Sequence, residues 1–212
     1  MTYYGVLRHI KIWSALLLCM LQLALVLLSW ILAAAFPELS VRSLLSSEGI
    51  RWFLGSFTDN MQTPLLVWLL VGSVAYGALR DSKMLHAIRE CLGKERMPYR
   101  KRLALSFVIF ELIACVAVMF LLAGIPHAIL LSVTGSLFPS SFSNSIIPVT
   151  AFCLSLFAVT FGTISGTQKS MDDVFGMLVS GISYTLPLWL IYILGTQLYF
   201  SLLFVFPDFP HI

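Results

Sequence analysis

Charge is what this 212-residue chain has least of: Asp, Glu, Lys and Arg make up 11% of it, against 59% hydrophobic residues. Residues 103–168 contain a single one of those four types, Glu111. A water-soluble domain needs a charged surface, so this composition, with a mean hydropathy of +0.93, excludes a soluble globular protein and points to a lipid bilayer. The four cysteines, Cys19, Cys91, Cys115 and Cys153, stand singly. With no CxxC pair and no Cys/His cluster, neither a zinc site nor a disulfide framework is expected; the thiols read as buried and free, and no metal or cofactor is assigned. HExxH, GxSxG and a phosphate-cradling glycine loop are also missing. His9, His86, His127 and His211 fall at span ends, in loops or at a terminus, so no Ser-His-Asp relay within the bilayer has obvious members. The chain is not expected to be an enzyme. Its net charge of +3 does not indicate nucleic acid, because the basic residues sit where a membrane protein places them.

What is there is a series of long apolar runs. A membrane crossing takes about 20 residues, and five such spans are expected, over about 13–36, 64–79, 103–124, 146–166 and 174–204. The fold class is therefore all-α: a polytopic membrane helix bundle forming one membrane domain over residues 1–212. The first run, behind Arg8 and Lys11, is too long for a cleaved signal and is expected to stay as a span. Between the first two spans, residues 46–57 place Ile50, Phe53, Leu54 and Phe57 on one helical face, beside Trp52. Ser46 can cap that helix and Glu48 suits its positive first turn, so a short amphipathic helix lying flat at the interface is expected, with packing on the protein itself as the alternative. Residues 82–92 predict a second short helix, with Met84, Leu85, Ile88 and Leu92 on one face and Gly93 as its stop. Residues 125–145 predict a loop with one short helix near 129–133.

Arg80, Lys83, Arg89, Lys94, Arg96, Arg100, Lys101 and Arg102 are eight of the thirteen Lys and Arg. They define a basic cytoplasmic loop over 80–102 under the positive-inside rule, with anionic headgroup binding as a secondary role. Five crossings then place the N-terminus in the cytoplasm and the C-terminus outside, and the expected location is the bacterial inner membrane.

Three sets of residues are candidates for function. Glu111 lies roughly 12–15 Å into the membrane, counting 1.5 Å per residue from Lys101. An intramembrane carboxylate is a candidate proton or cation ligand, or else a hydrogen-bonded acid joining two helices, with Arg102 within snorkelling reach. Pro187 removes a backbone donor inside the fifth span and, with Gly195, is expected to interrupt or kink it; such breaks can line a transport site. Ser73 and Gly77 on the second span, and Ala158, Gly162 and Gly166 on the fourth, repeat at four-residue spacing. Small side chains allow close helix approach, either within one chain or along a seam with a partner. Val74-Ala75-Tyr76-Gly77 also echoes Val159-Thr160-Phe161-Gly162, as an internal repeat would.

Residues 41–54, with Leu44-Leu45-Ser46-Ser47-Glu48-Gly49 followed by Trp52, resemble the region behind the first span of the AbgT family of p-aminobenzoyl-glutamate transporters. Residues 71–80 resemble that family's small-residue helix before its cytoplasmic turn, and residues 146–190 part of its second half. The resemblance implies a dimeric, ion-coupled transporter fold with a scaffold and re-entrant substrate hairpins. Family members are more than twice as long, and the polar substrate- and sodium-binding hairpin loops have no match here. The resemblance therefore implies a scaffold or subunit of a transport assembly, as a homodimer or beside a larger membrane-protein partner, and it carries over no substrate-binding residue. A small ion-coupled transporter acting as a homo-oligomer is the alternative, and an intramembrane enzyme is less favoured still.

Overall fold

The computed structural model describes residues 2–38, 40–93, 97–123 and 141–207. They form eight helices, α1 (Thr2–Ala35), α2 (Ser47–Gly55), α3 (Phe57–Met61), α4 (Pro64–Asp81), α5 (Met84–Leu92), α6 (Tyr99–Ala123), α7 (Ser141–Ser165) and α8 (Met171–Val205), with no strand among the described residues. Five of these, within α1, α4, α6, α7 and α8, are long and apolar enough to cross a membrane. The chain is thus a multi-pass, all-α membrane protein. Its lipid-type surface is plain at the residue level: Leu17, Trp13, Phe110, Phe120 and Phe152 all lie open.

Two compact units make up the chain: Met1–Leu66 with Leu186–Ile212, and Val67–Thr185. In the first, the core gathers Leu25 of α1, Leu44 of the following loop, and Phe204 and Val205 at the end of α8. Two backbone-directed bonds hold that loop: Leu44 N–H donates to Ser29 Oγ at 3.1 Å, and Arg42 N–H donates to the Val205 carbonyl at 3.0 Å. In the second unit, Ala104 and Val108 of α6 pack on Phe157 and Phe161 of α7 and on Met84 and Ala87 of α5. Ala78, Ala158 and Met177 form a smaller cluster where α4, α7 and α8 meet.

Several boundaries differ from the sequence expectation. The basic stretch 80–102 is largely helical: α4 continues to Asp81, α5 follows, and α6 opens at Tyr99, directly behind Pro98. Proline explains this start, since it lacks the N–H that a helix's first turn leaves unpaired anyway. The α5 face is rotated from the one expected. Met84, Ala87 and Ile88 face the core, while Leu85 and Leu92 stay exposed. Gly93 ends α5 as expected, its N–H returning to the Arg89 carbonyl. α7 begins at Ser141, five residues earlier than the predicted span, and carries Pro148 inside it. The short helix predicted near 129–133 lies outside the described residues. α8 runs uninterrupted through Pro187 and Gly195, where breaks were expected. At 35 residues it is roughly 50 Å long, well beyond the ~30 Å hydrocarbon thickness.

Candidate functional site

Glu111 stands near the middle of α6, on the face that includes Ala104, Val108 and Cys115 at three- and four-residue spacing. Those steps place successive side chains along one seam, and α7 answers with Cys153, Phe157 and Phe161. The Thr160 hydroxyl donates to Glu111 Oε1 at 3.3 Å. Glu111 Oε2 is buried and has no hydrogen-bond partner. No ion pair involves Glu111 among the described residues, and Arg102 lies roughly two and a half turns back along the same helix. Beside this carboxyl, Cys153 Sγ and Cys115 Sγ approach to 3.3 Å. The two thiols are 38 residues apart, so nothing in their spacing announced the pair. Carboxyl, hydroxyl and two thiols thus make one polar cluster on an otherwise apolar seam; no described residues form a His/Cys/Asp/Glu group able to hold a metal ion.

The small residues of α4 meet α8. A Cβ on Gly181 would overlap the Ser73 carbonyl oxygen, and one on Gly77 would overlap the Gly181 backbone. Across this crossing Thr185 Oγ1 donates to Ser73 Oγ at 2.7 Å, and Ser73 Oγ donates to the Leu69 carbonyl. Ser73 and Gly77 therefore serve packing within the chain, against Gly181, a partner that spacing on α4 alone did not reveal. Ala158 is fully buried in the cluster with Ala78 and Met177. Gly162 is covered by the Gln168 side chain, whose Cγ would lie 3.0 Å from an added Cβ. Gly166 does something else. Its φ of +76° turns the chain out of α7, so it is a helix terminator and does not belong to the packing stripe. The echo between α4 and α7 stops at sequence: Tyr76 is half exposed whereas Phe161 is buried.

At the end of α4, Asp81 accepts from Ser180 Oγ at 2.6 Å and from Tyr184 OH at 3.3 Å. The Arg80 guanidinium lies 4.0 Å from the centre of the Tyr184 ring. This clasp joins α4 to α8 and was not anticipated. Pro187 sits within α8, its ring removing one backbone donor without ending the helix.

In the first unit, polar side chains also join helices. Gln22 Nε2 donates to Ser201 Oγ at 3.1 Å, Asn60 Nδ2 reaches Gln197 Oε1 at 3.5 Å, and Tyr192 OH donates to the Met61 carbonyl at 2.7 Å. Gln22 Oε1 and Gln197 Nε2 remain buried without partners. The residues that carry the AbgT resemblance have definite structural work here. Ser46 caps α2 by accepting from Gly49 N–H at 3.0 Å. A Cβ on Gly49 would lie 2.6 Å from Leu44 Cα, so only glycine fits. Trp52 stacks on Phe204 with ring centres 4.5 Å apart and planes 16° from parallel. The α2 helix packs on the protein through Gly49 and Trp52, the alternative weighed above, while Ile50 and Leu54 of α2 and Phe57 of α3 stay exposed.

Fold and seam together define the class: a multi-pass α-helical membrane protein with an acid and a thiol pair on two of its candidate membrane spans. No family model, curated protein or solved structure matches this chain.

Proposed function

We propose that this chain is a scaffold or subunit of a membrane transport assembly, related to the AbgT-type transporters. What carries the reading is the use made of the motif residues. Leu44, Ser46, Gly49 and Trp52 tie α2 to the loop and to the end of α8, a holding function. The polar groups of α4 and of α8 agree with this. Ser73, Thr185 and Tyr192 are bonded to other helices or segments of their own unit, as scaffold helices would be. The exposed apolar faces of α1 and α6 can meet lipid, a second copy of the chain or a larger membrane partner.

Mild-detergent extraction from native membranes, followed by weighing the intact complex and identifying its components, tests the proposal. A homodimer or a larger polytopic partner is the expected result; a monomer that alone moves an ion or solute removes it. A second reading, a small ion-coupled transporter acting as a homo-oligomer, is favoured by one observation, the unpartnered Oε2 of Glu111. A buried carboxyl oxygen without a donor is an open position for a proton or cation. Glu111→Gln decides between the two. The scaffold keeps its assembly unchanged, whereas a transporter using this acid loses at least about a hundredfold of its coupled flux, the usual weight of a proton-transferring group.

A further inference from the structure

We propose that Cys115 and Cys153 are a redox-active dithiol within the membrane, oxidised to a disulfide by a lipid-soluble quinone. The sulfurs are 3.3 Å apart, and a disulfide needs them at about 2.05 Å, so bond formation draws them little more than about 1 Å closer. The thiols sit on α6 and α7, one helix each. Cys115 stands seven residues from the Leu122 end of its span and Cys153 eight from the Ser145 end of its own. Both are therefore roughly 10–12 Å inside the hydrocarbon at 1.5 Å per residue.

That depth selects the oxidant. Glutathione and other charged couples do not enter hydrocarbon, so the electron acceptor must dissolve in lipid. Leu112, Val116, Phe152 and Leu156, which flank the thiols on the two helices, are exposed, so the approach is from the lipid side. The step balances: two S–H bonds break, one S–S bond forms, and two electrons and two protons convert the quinone to its quinol. A thiolate is the attacking species in such exchanges, and forming one in hydrocarbon needs a local proton acceptor. Glu111 is one turn before Cys115 on the same helix, with Oε2 unpartnered. It is the base nearest in register to the pair.

The experiment uses the full chain in phospholipid vesicles loaded with a short-tailed benzoquinone, under nitrogen. Quinol is followed by absorbance, and the joined peptides are identified by mass spectrometry. The expected result is a Cys115–Cys153 link, with one quinol per link and no link in Cys153→Ser. Glu111→Gln is expected to slow the link about a hundredfold without abolishing it. Three outcomes overturn the proposal: both thiols still alkylatable after quinone exposure, separate oxidation of each sulfur, or a link that forms only with a water-soluble oxidant. Mass spectrometry of the unmodified chain reads the link directly, so the test stands even where a variant fails to insert.

Discussion

Single atoms decide the α4–α8 crossing. Gly181 and Gly77 leave no room for a methyl group, because the atoms a Cβ would meet are backbone and cannot swing aside. Gly181→Ala should therefore cost about 2 kcal/mol or more, in the range of overpacked sites. Ser73→Ala, which removes the bond from Thr185, should cost only about 0.6 kcal/mol, typical of an interhelical hydrogen bond in a bilayer. Unfolding equilibria of both variants in bicelles check the ranking, and equal costs would refute the primacy of close approach. The sequence showed the α4 half of this contact as Ser73 and Gly77 but hid the other half. Gly181 and Thr185 also stand four apart, a signal of the same kind on α8 that was there to be read. Cys115 and Cys153 had no such signal, because only the antiparallel pairing of α6 with α7 brings them together.

Among the elements, α5 is tied to α6 by one carboxyl as well as by its apolar face. Glu90 accepts from Lys101 Nζ at 2.9 and 3.1 Å and from His86 Nδ1 at 2.7 Å. The hydrogen bond from Lys101 is the largest cause holding its acid below the usual carboxylate range, against an opposing effect of burial. A carboxyl lowered on folding contributes stability that is full above its free value near 4.5 and is lost as pH falls through the lower folded value. Amide exchange in α5 should therefore quicken as pH drops below about 4.5, after correction for intrinsic exchange, and Lys101→Met should weaken that dependence, leaving the smaller part that His86 contributes. For α2, Ser46→Ala should cost about 1 kcal/mol through loss of the cap, read as a lower melting temperature in detergent. The capping serine was legible because a hydroxyl ahead of an acidic first turn has a local meaning. The inward face of α5 was not legible: Leu85 and Leu92 are as apolar as Met84, and only the small Ala87 lets α5 lie close on α6 and α7.

For the whole molecule, the five spans were readable because each is a long run with almost no charge, whereas their ends were blurred by basic residues that continue helices. Five crossings, as expected from the sequence, would put the two termini on opposite faces. The expected arrangement has Cys91, which is exposed, on the same face as the N-terminus, and Glu48 on the other. An impermeant maleimide applied to sealed right-side-out cells should therefore label a cysteine placed at Glu48 and spare Cys91. The reverse pattern would invert the proposed orientation.

The bond from Arg42 N–H to the Val205 carbonyl has a consequence for how the protein is made. Synthesis proceeds from the N-terminus, so Leu44 and Ser29 can meet once α1 and the loop behind it have left the ribosome, but Arg42 must wait until all of α8 has been translated. Trp52 waits as well, since its stacking partner Phe204 belongs to the same late segment. The first unit is thus a clasp whose two jaws are made at opposite ends of the time course. Until it shuts, Trp52 and the Leu44 side chain lack their contacts with the end of α8 and are open to insertase or chaperone, and a ribosome stalled before Phe204 leaves them so.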